Sequence, residues 1–498
     1  MVAVTNLEDA WEMTNDRQLR IAIIGAGASG IMAAIKLRQA GHGDVTIFEK
    51  AHDLGGTWRD NRYPGITCDV PSHAYRYSFE PNPDWSRVCS PGAEILEYVR
   101  HTARKHGVEG LIRYDSEITR ADYQNGRWHL ESARGSEGAF HAVITATGVL
   151  HHPVYPDISG LEDFGGRAFH SARWEDDVSL AGKRVGVIGT GSTAIQIVGA
   201  SVAKVASLSL FQRTAQWVLP LPNRDYEEGE KAQFRADPAL VESEYLRLTH
   251  RMNTTFSAAV VGENPTAYDQ IVTACEEHLA TVRDPDLRRR LTPDYKVGCK
   301  RLIMSGDFYE AIQDPKAELV TDPIDRFCPE GIRTADGRVH ELDVIVIATG
   351  FDTHRFFRPM QVNGPGEQTL DQAWSEGNQG YLTVAIPGFP NWFMIGGPTS
   401  PIGNFSWLLT AEAQFGYIRQ LIDRIGEGDV TAVAPKPEAA DAFNQSVRER
   451  LPQTVWATGC QSWYIDSAGN IASWPWTFDK FRKDMDRPVW DDFEISAG

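Results

Sequence analysis

The sequence predicts an α/β fold built from two strand–turn–helix units of the same design, with a charged helical stretch inserted in the second. Three observations predict it. Residues 20–25 (RIAIIG) form a short apolar run, followed by Gly25-Ala26-Gly27-Ala28-Ser29-Gly30 and an apolar helix-like stretch to Ala40. The same grammar restarts at residues 183–189 (KRVGVIG), where Gly189, Gly191 and Ala194 take the places of Gly25, Gly27 and Gly30. Residues 223–293 then change to a charged, punctuated, helical pattern before an apolar strand at 342–348.

Each element carries its own signal. A second strand, 45–48, ends at Glu49 and completes a βαβ beginning. A glycine-rich loop spans 55–69. Ser90-Pro91 places a cap residue and then proline at a helix start, and Gly107 supplies a stop. Residues 117–146 read as a small antiparallel sheet turning at Asn125-Gly126. After the second glycine turn, a strand at 207–211 leads into Gln212-Arg213-Thr214, Asp284-Pro285 opens another helix, and 405–425 and 437–450 look helical.

The 498 residues suggest two or three domains. A chain 42% apolar and 23% charged is too apolar for disorder, and its net charge of -18 argues against nucleic acid or an anionic membrane as partner. Cysteines stand at 68, 89, 275, 299, 328 and 460, with no C-x-x-C pair and no His/Cys cluster at zinc spacing. No disulfide framework and no metal site are therefore expected, and six scattered thiols fit a reducing cytoplasm. Residues 1–19 carry Glu8, Asp9, Glu12 and Asp16 and lack the order of a signal peptide. The uncharged stretches 21–35 and 185–203 contain glycines at fingerprint spacing, so they are expected as strand–turn–helix units and not as membrane spans.

The glycine turns carry the chemistry. Gly25, Gly27, Ala28, Ser29 and Gly30 let backbone approach a pyrophosphate, and the helix they open offers free N–H donors and a partial positive charge. Glu49 lies 19 residues after Gly30, where an acid accepts hydrogen bonds from ribose hydroxyls. This first site suits the adenosine half of FAD. In the second site, Thr190, Gly191, Ser192, Thr193 and Ala194 form the turn, and Arg213 beside Thr214 stands where the acid would be. A guanidinium binds a 2′-phosphate that a carboxylate would repel, so the second site suits NADPH. The similar turns Ala146-Thr147-Gly148 and Ala348-Thr349-Gly350 mark where the chain passes between domains. The expected organisation is a discontinuous FAD-binding domain at 1–150 and 341–498, an NADPH-binding domain at 151–222 and 294–340, and a helical insertion at 223–293.

Two long patterns then give a resemblance. One is Phe164-x-Gly166-x3-His170-x3-Trp174; the other runs Gly55-Gly56-x-Trp58-x4-Tyr63-Pro64-Gly65-x3-Asp69. With Gly298-Cys299-Lys300-Arg301, the ATGFD segment and Phe389-Pro390-Asn391, the chain resembles the type I Baeyer–Villiger monooxygenases from residue 20 to about 400. It departs from that pattern at Arg59-Asp60, where aromatic residues are common, and at Glu175, where proline or aspartate is usual. The resemblance implies that NADPH reduces FAD and that dioxygen adds at flavin C4a. The resulting peroxyflavin attacks a ketone, giving an ester or lactone; in its protonated form it oxidises thioethers. Ketone and O2 are thus the expected small-molecule partners. The related flavin-containing N- or S-oxygenases end the linker pattern differently from Trp174-Glu175. A flavin disulfide reductase would need a redox dithiol at close spacing. A silent FAD/NADPH-binding protein is the remaining alternative.

The same resemblance assigns residues. Arg301 is the cation beside the reacting oxygen, with Asp69 as its hydrogen-bond partner; both also face the cofactors. Lys300 joins Arg213 at the 2′-phosphate. Thr57, Trp58, Tyr75 and the backbone of Ile118 pack on the flavin. Phe164, Gly166, His170 and Trp174 form a linker, with His170 expected in a hinge hydrogen bond and not as a base. The loop 400–405 and the helices of 223–293 shape the pocket, while Trp463, Trp474 and Trp476 make an aromatic tail. Neither the particular ketone nor the oligomeric state is legible in the sequence.

Overall fold

The computed structural model describes residues 18–466, 468–470 and 472–497, so the reading of residues 1–19 falls outside it up to residue 17. A first parallel sheet has the spatial order Trp392–Met394, Ala142–Thr145, Arg20–Ile24, Asp44–Phe48, Ile112–Arg113. Its central strand pairs Ile21 with Val45 on one side and with Ala142 on the other. Ile21, Ala22 and Ile23 are fully buried, because the sheet is covered on both faces and a central parallel strand must be apolar throughout. The fingerprint helix Ala28–Gln39 packs against the long helix Trp407–Gly426 over this sheet.

A second parallel sheet has the order Ala317–Val320, Ser207–Phe211, Arg184–Ile188, Val344–Ile347, Arg167–His170. It contains its own core of Val185, Val187, Leu208, Leu210, Val344 and Val346. The strand Val344–Ile347 lies past the expected domain boundary at 341 yet pairs with Arg184–Ile188, so by hydrogen bonding the second unit extends to residue 347. Likewise Ala142–Thr145, expected in the antiparallel sheet, joins the first parallel sheet. In both cases a four-residue apolar strand, buried along its length, carries no mark of which sheet it enters. The antiparallel sheet itself comprises Ile118–Gln124, Arg127–Ser132 and Gly135–Phe140, with Asn125 (φ 51°) and Gly126 (φ 74°) forming the turn.

The insertion is helical: Glu228–Ala236, Pro238–Met252, Pro265–Leu279 and Pro285–Arg290. Three of these start with proline behind Asp237, Asn264 or Asp284, whose side chains accept from the first free N–H groups. Two connections cross between the sheets and pair with each other, Val154 N–H donating to Gly350 O and Asp352 N–H to His152 O. No helix among the described residues is long and apolar enough to cross a membrane.

One expectation about cysteine is overturned. Cys299 and Cys460 form a disulfide across 161 residues, with Cα atoms 6.1 Å apart. Cys68, Cys89, Cys275 and Cys328 are free and buried. Sequence spacing is silent on a bridge joining two segments that only folding brings together.

Candidate active site

The two glycine turns are built alike. Gly25 has φ +109°, and a Cβ there would lie 2.7 Å from Ala146 O; Gly189 has φ +118°, and its Cβ would lie 2.3 Å from Ala348 O. Each turn therefore needs glycine both for its backbone angle and for the close passage of an Ala-Thr-Gly segment. Neither Gly27 nor Gly191, the N-cap residues of helices Ala28–Gln39 and Ser192–Ser201, has a side-chain cap, so the first-turn N–H groups stay available to an anion. Open space faces the α-carbon of Gly191, and Gly27 opposes Gly56 across a gap that a Cβ would narrow to 3.7 Å. Both cradles fit a dinucleotide pyrophosphate.

Glu49 is buried at the end of its strand. Its Oε2 accepts from Ala26 N–H and its Oε1 from Ala51 N–H, each at 2.9 Å, while Arg59 Nη1 lies 3.1 Å away. A carboxylate has about four acceptor sites, so one remains for a ribose hydroxyl. Arg59, a departure from the family pattern, also pairs with Asp60 at 2.8 Å, and these two carboxylates raise its pKa against the opposing effect of burial, the largest influence. In the second site Arg213 is exposed, and among the described residues no carboxylate pairs with it. Lys300 sits over the Tyr295 ring at 4.8 Å; burial lowers its pKa, as does the nearby Arg213. Thr190 Oγ1 donates to Thr214 O at 2.8 Å, tying the turn to the segment that follows Arg213.

Residues 63–69 join the units. Gly65 (φ +83°) lies against the second fingerprint helix, where a Cβ would meet Gln196 O at 2.5 Å and Ala200 Cβ at 2.7 Å. Tyr63 OH donates to Gln196 Oε1 at 3.0 Å, and Gln196 Nε2 donates back to Thr67 O at 3.1 Å. Clamped in this way, the segment delivers Asp69 to Arg301, and the two form a half-buried ion pair. Asp69 raises the Arg301 pKa, so the guanidinium is fixed as a cation. Trp58 Nε1 donates to Tyr75 OH at 3.2 Å, with the rings edge to face. Thr57 is exposed, whereas Ile118 lies in a core cluster with Phe48 and Phe140.

The linker residues pack alongside this segment, Arg62 donating to Trp174 O at 3.5 Å. His170 is fully buried; its Nδ1 accepts from Ala172 N–H at 3.1 Å and its Nε2 meets Gly350 O at 3.1 Å. Burial lowers its pKa to about 4, and with both nitrogens engaged it is a structural crosslink. Phe164 fills the space beside Gly166, and Trp174 packs edge-on to Phe169. Glu175, the other departure, pairs with Arg167 at the surface. In the tail, Trp474 is core, stacked on Phe443, with Trp476 against it.

Sequence reasoning missed Tyr464. Burial pushes the pKa of its hydroxyl up to about 12, while the nearby Arg301 guanidinium acts in the opposite direction. A Cβ on Gly403 would lie 2.5 Å from that hydroxyl, 2.7 Å from Arg301 Nη1 and 3.3 Å from Trp463. The loop 400–405, Trp463, Tyr464 and the Arg301–Asp69 pair thus share one patch. Neighbouring Asn404 is buried with no hydrogen-bond partner at either side-chain amide atom among the described residues. Among those residues, no group of three or more His, Cys, Asp or Glu is placed to hold a metal ion.

Comparison with known proteins agrees with this geometry. The NAD(P)-binding Rossmann-like domain family matches residues 23–91. An uncharacterized monooxygenase of Mycobacterium tuberculosis is 48% identical over 463 residues, 93% of each chain. A Baeyer-Villiger monooxygenase of Streptomyces coelicolor is 40% identical over 474 residues, covering 94% of this chain and 91% of the relative. The solved OTEMO complex with FAD and NADP superposes with a TM-score of 0.85 at 28% identity, covering 96% of this chain and 99% of that one. Two uncapped glycine turns, an Arg–Asp pair between them and relatedness along nearly the whole length lead to one assignment: the chain belongs to the Baeyer–Villiger monooxygenase family of flavoproteins.

Proposed function

We propose that this protein is an NADPH- and O2-dependent Baeyer–Villiger monooxygenase that converts ketones to esters or lactones and also oxidises thioethers. The observation that carries this reading is the Arg301–Asp69 ion pair at the end of a segment clamped to the NADPH-site helix. FAD, when bound, supplies the electron storage and oxygen activation. The chain's own residues do the rest. The first-turn N–H groups of Ala28, Ser29 and Gly30 hold the FAD pyrophosphate, and Glu49 holds its ribose. Thr57, Trp58 and Tyr75 border the ring, with the backbone of Ile118 behind them. Thr190 to Ala194 hold the NADPH pyrophosphate, while Arg213, Thr214 and Lys300 read the 2′-phosphate.

Arg301 stabilises negative charge on the reacting oxygen, and Asp69 holds the guanidinium in place. At contact distance and an effective dielectric of ~20, such a cation contributes about 4 kcal/mol. That ceiling corresponds to roughly three pKa units for the oxygen acid it faces. Loop 400–405 and Trp463 exclude water beside it. In domain terms, residues 18–150 and 348–497 form the FAD part, 151–222 and 294–347 the NADPH part, and 223–293 the helical insertion. Four buried free thiols and the acidic surface support a cytoplasmic location.

The test is the Arg301→Ala variant with a ketone panel, products being identified by mass spectrometry. Anaerobic flavin bleaching by NADPH should persist, while ester formed per NADPH should fall at least tenfold and hydrogen peroxide should appear instead. Ester yield near that of the wild type would remove Arg301 from this role. A panel giving no ester while amines turn over would favour an N-oxygenase.

A further inference from the structure

Cys299 stands two residues before Arg301, and Cys460 stands four before Tyr464. The disulfide between them therefore closes a small ring. It runs from Cys299 through Lys300 to Arg301, across the point beside Gly403 that Arg301 Nη1 and the Tyr464 hydroxyl both border, and back through Trp463 to Cys460. Every side chain expected to read the 2′-phosphate or the reacting oxygen from this segment lies inside that ring. Two residues span at most ~7 Å and four at most ~14 Å. The bridge thus limits how far the Tyr464 hydroxyl can stray from the guanidinium.

Packing shares this task, since Tyr464 is buried with Val260, Val261, Val447, Val455 and Trp456. Among the described residues, the hydrogen bonds of 461–470 run within 461–472. Aromatic packing of Tyr464 on Trp456 at 4.9 Å adds a non-directional hold. Asp69 occupies Arg301 Nη2, while Nη1 and the Tyr464 hydroxyl border the same point beside Gly403. A carboxylate thus borders the guanidinium on one side and a hydroxyl on the other. The two residues also differ in access: Cys299 is fully buried, whereas Cys460 is partly exposed.

We propose that the Cys299–Cys460 disulfide is a redox-responsive staple that seats Tyr464 against Arg301, making Tyr464 a positioning residue for oxygen insertion. The inference rests on the role given to Arg301 above. The bridge forms when hydrogen peroxide, released by unproductive turnover, takes two electrons from the thiol pair. Both S–H bonds and the O–O bond break, one S–S bond forms, and two waters leave with the two protons. A small dithiol reverses it by exchange, entering at the more exposed Cys460 sulfur and leaving as its own cyclic disulfide. A staple of this kind returns the enzyme to coupled turnover after an episode of leakage. It also reconciles one disulfide with four free thiols in the same chain.

The test begins with the FAD-loaded enzyme and does not depend on turnover. Peptide mapping without reductant should find residues 299 and 460 linked after peroxide treatment and free after dithiothreitol. Both thiols free after peroxide overturns the proposal. Three samples are then compared with the oxidised wild type on one ketone: the dithiothreitol-reduced wild type, C299A/C460A, and Y464F. Each should release at least fivefold more hydrogen peroxide per NADPH, with anaerobic flavin reduction unchanged within twofold. Peroxide should restore coupling to the reduced wild type and not to C299A/C460A. Y464F should also move the pH dependence of ester yield upward by about one unit, which loss of packing alone would not do. Coupling and pH profile unchanged in Y464F and C299A/C460A, with Arg301→Ala uncoupled, defeats this inference and leaves the function intact. Arg301→Ala fully coupled defeats the function reading itself.

Discussion

Arg213 is an exposed cation with no carboxylate partner among the described residues, and Lys300 near it is less basic than an ordinary lysine because of burial and because of Arg213. Two neighbouring cations are best accommodated when an anion lies between them or water screens them, and Arg213 adjoins Thr214, which is tied to the uncapped turn at Thr190. A hydrogen bond to a charged group is worth about 1.5–3 kcal/mol. Arg213→Ala should therefore reduce the preference for NADPH over NADH by roughly 10- to 100-fold, mostly through KM. Steady-state kinetics with both coenzymes decides it, and equal wild-type kcat/KM for the two would overturn the site. Arg213 and Glu49 were legible in the sequence because a βαβ unit fixes the distance from turn to second strand end. Tyr464 was not, since its meaning comes only from a segment 163 positions away. Arg59 lay between these cases: the sequence marked it as unusual, but only folding shows it beside Glu49.

The segment 63–69 is the element that converts two separate binding units into one site. Its contact with helix Ser192–Ser201 is a backbone approach, with Gly65 in a left-handed conformation against Gln196 O. Gly65→Ala would place a methyl where there is no room and force an L residue into that conformation, at a cost of about 1–2 kcal/mol for the angle and a further ~1–3 for the overlap. The expected result is a lower thermal midpoint together with a raised KM for NADPH, with FAD content preserved. An unchanged KM for NADPH would show that the clamp does not position the second site. At this scale the sequence was most readable where local chemistry decides the outcome. The proline-led helices, the Asn125-Gly126 turn and both glycine turns follow from backbone preference and periodicity. The destinations of Ala142–Thr145 and Val344–Ile347 do not, because a short buried strand takes its partner from tertiary packing and not from its own residues.

Across the whole molecule, buried histidines set the lower pH limit. His73 is fully buried with neither ring nitrogen hydrogen-bonded among the described residues, and it packs on Phe234 of helix Glu228–Ala236 at 4.5 Å and on Tyr226 at 5.4 Å. Burial lowers its pKa to about 4; Arg76 acts in the same direction and Glu244 against it. His170, crosslinking strand Arg167–His170 to Gly350, is likewise lowered to about 4 by burial. Above pH 6.5 both are neutral, folded or unfolded, and their contribution is complete. Between 6.5 and about 4 the unfolded chain takes up protons that the folded chain refuses. Stability therefore falls as pH falls, by about 1.4 kcal/mol per unit for each histidine. Below about 4 both states are protonated and the loss, roughly 3 kcal/mol for each, is complete. Because His73 docks the insertion and His170 ties the linker to the strand crossing, acid should loosen the joints between units before either sheet melts. Thermal midpoints measured at fixed ionic strength from pH 7 to 4 should fall steeply below 6.5. His73→Phe keeps the aromatic contact with Phe234 and removes the proton site, so its stability should decline with pH by one proton fewer than the wild type. A His73→Phe profile parallel to that of the wild type would mean that this histidine titrates in the folded chain as it does in the unfolded one.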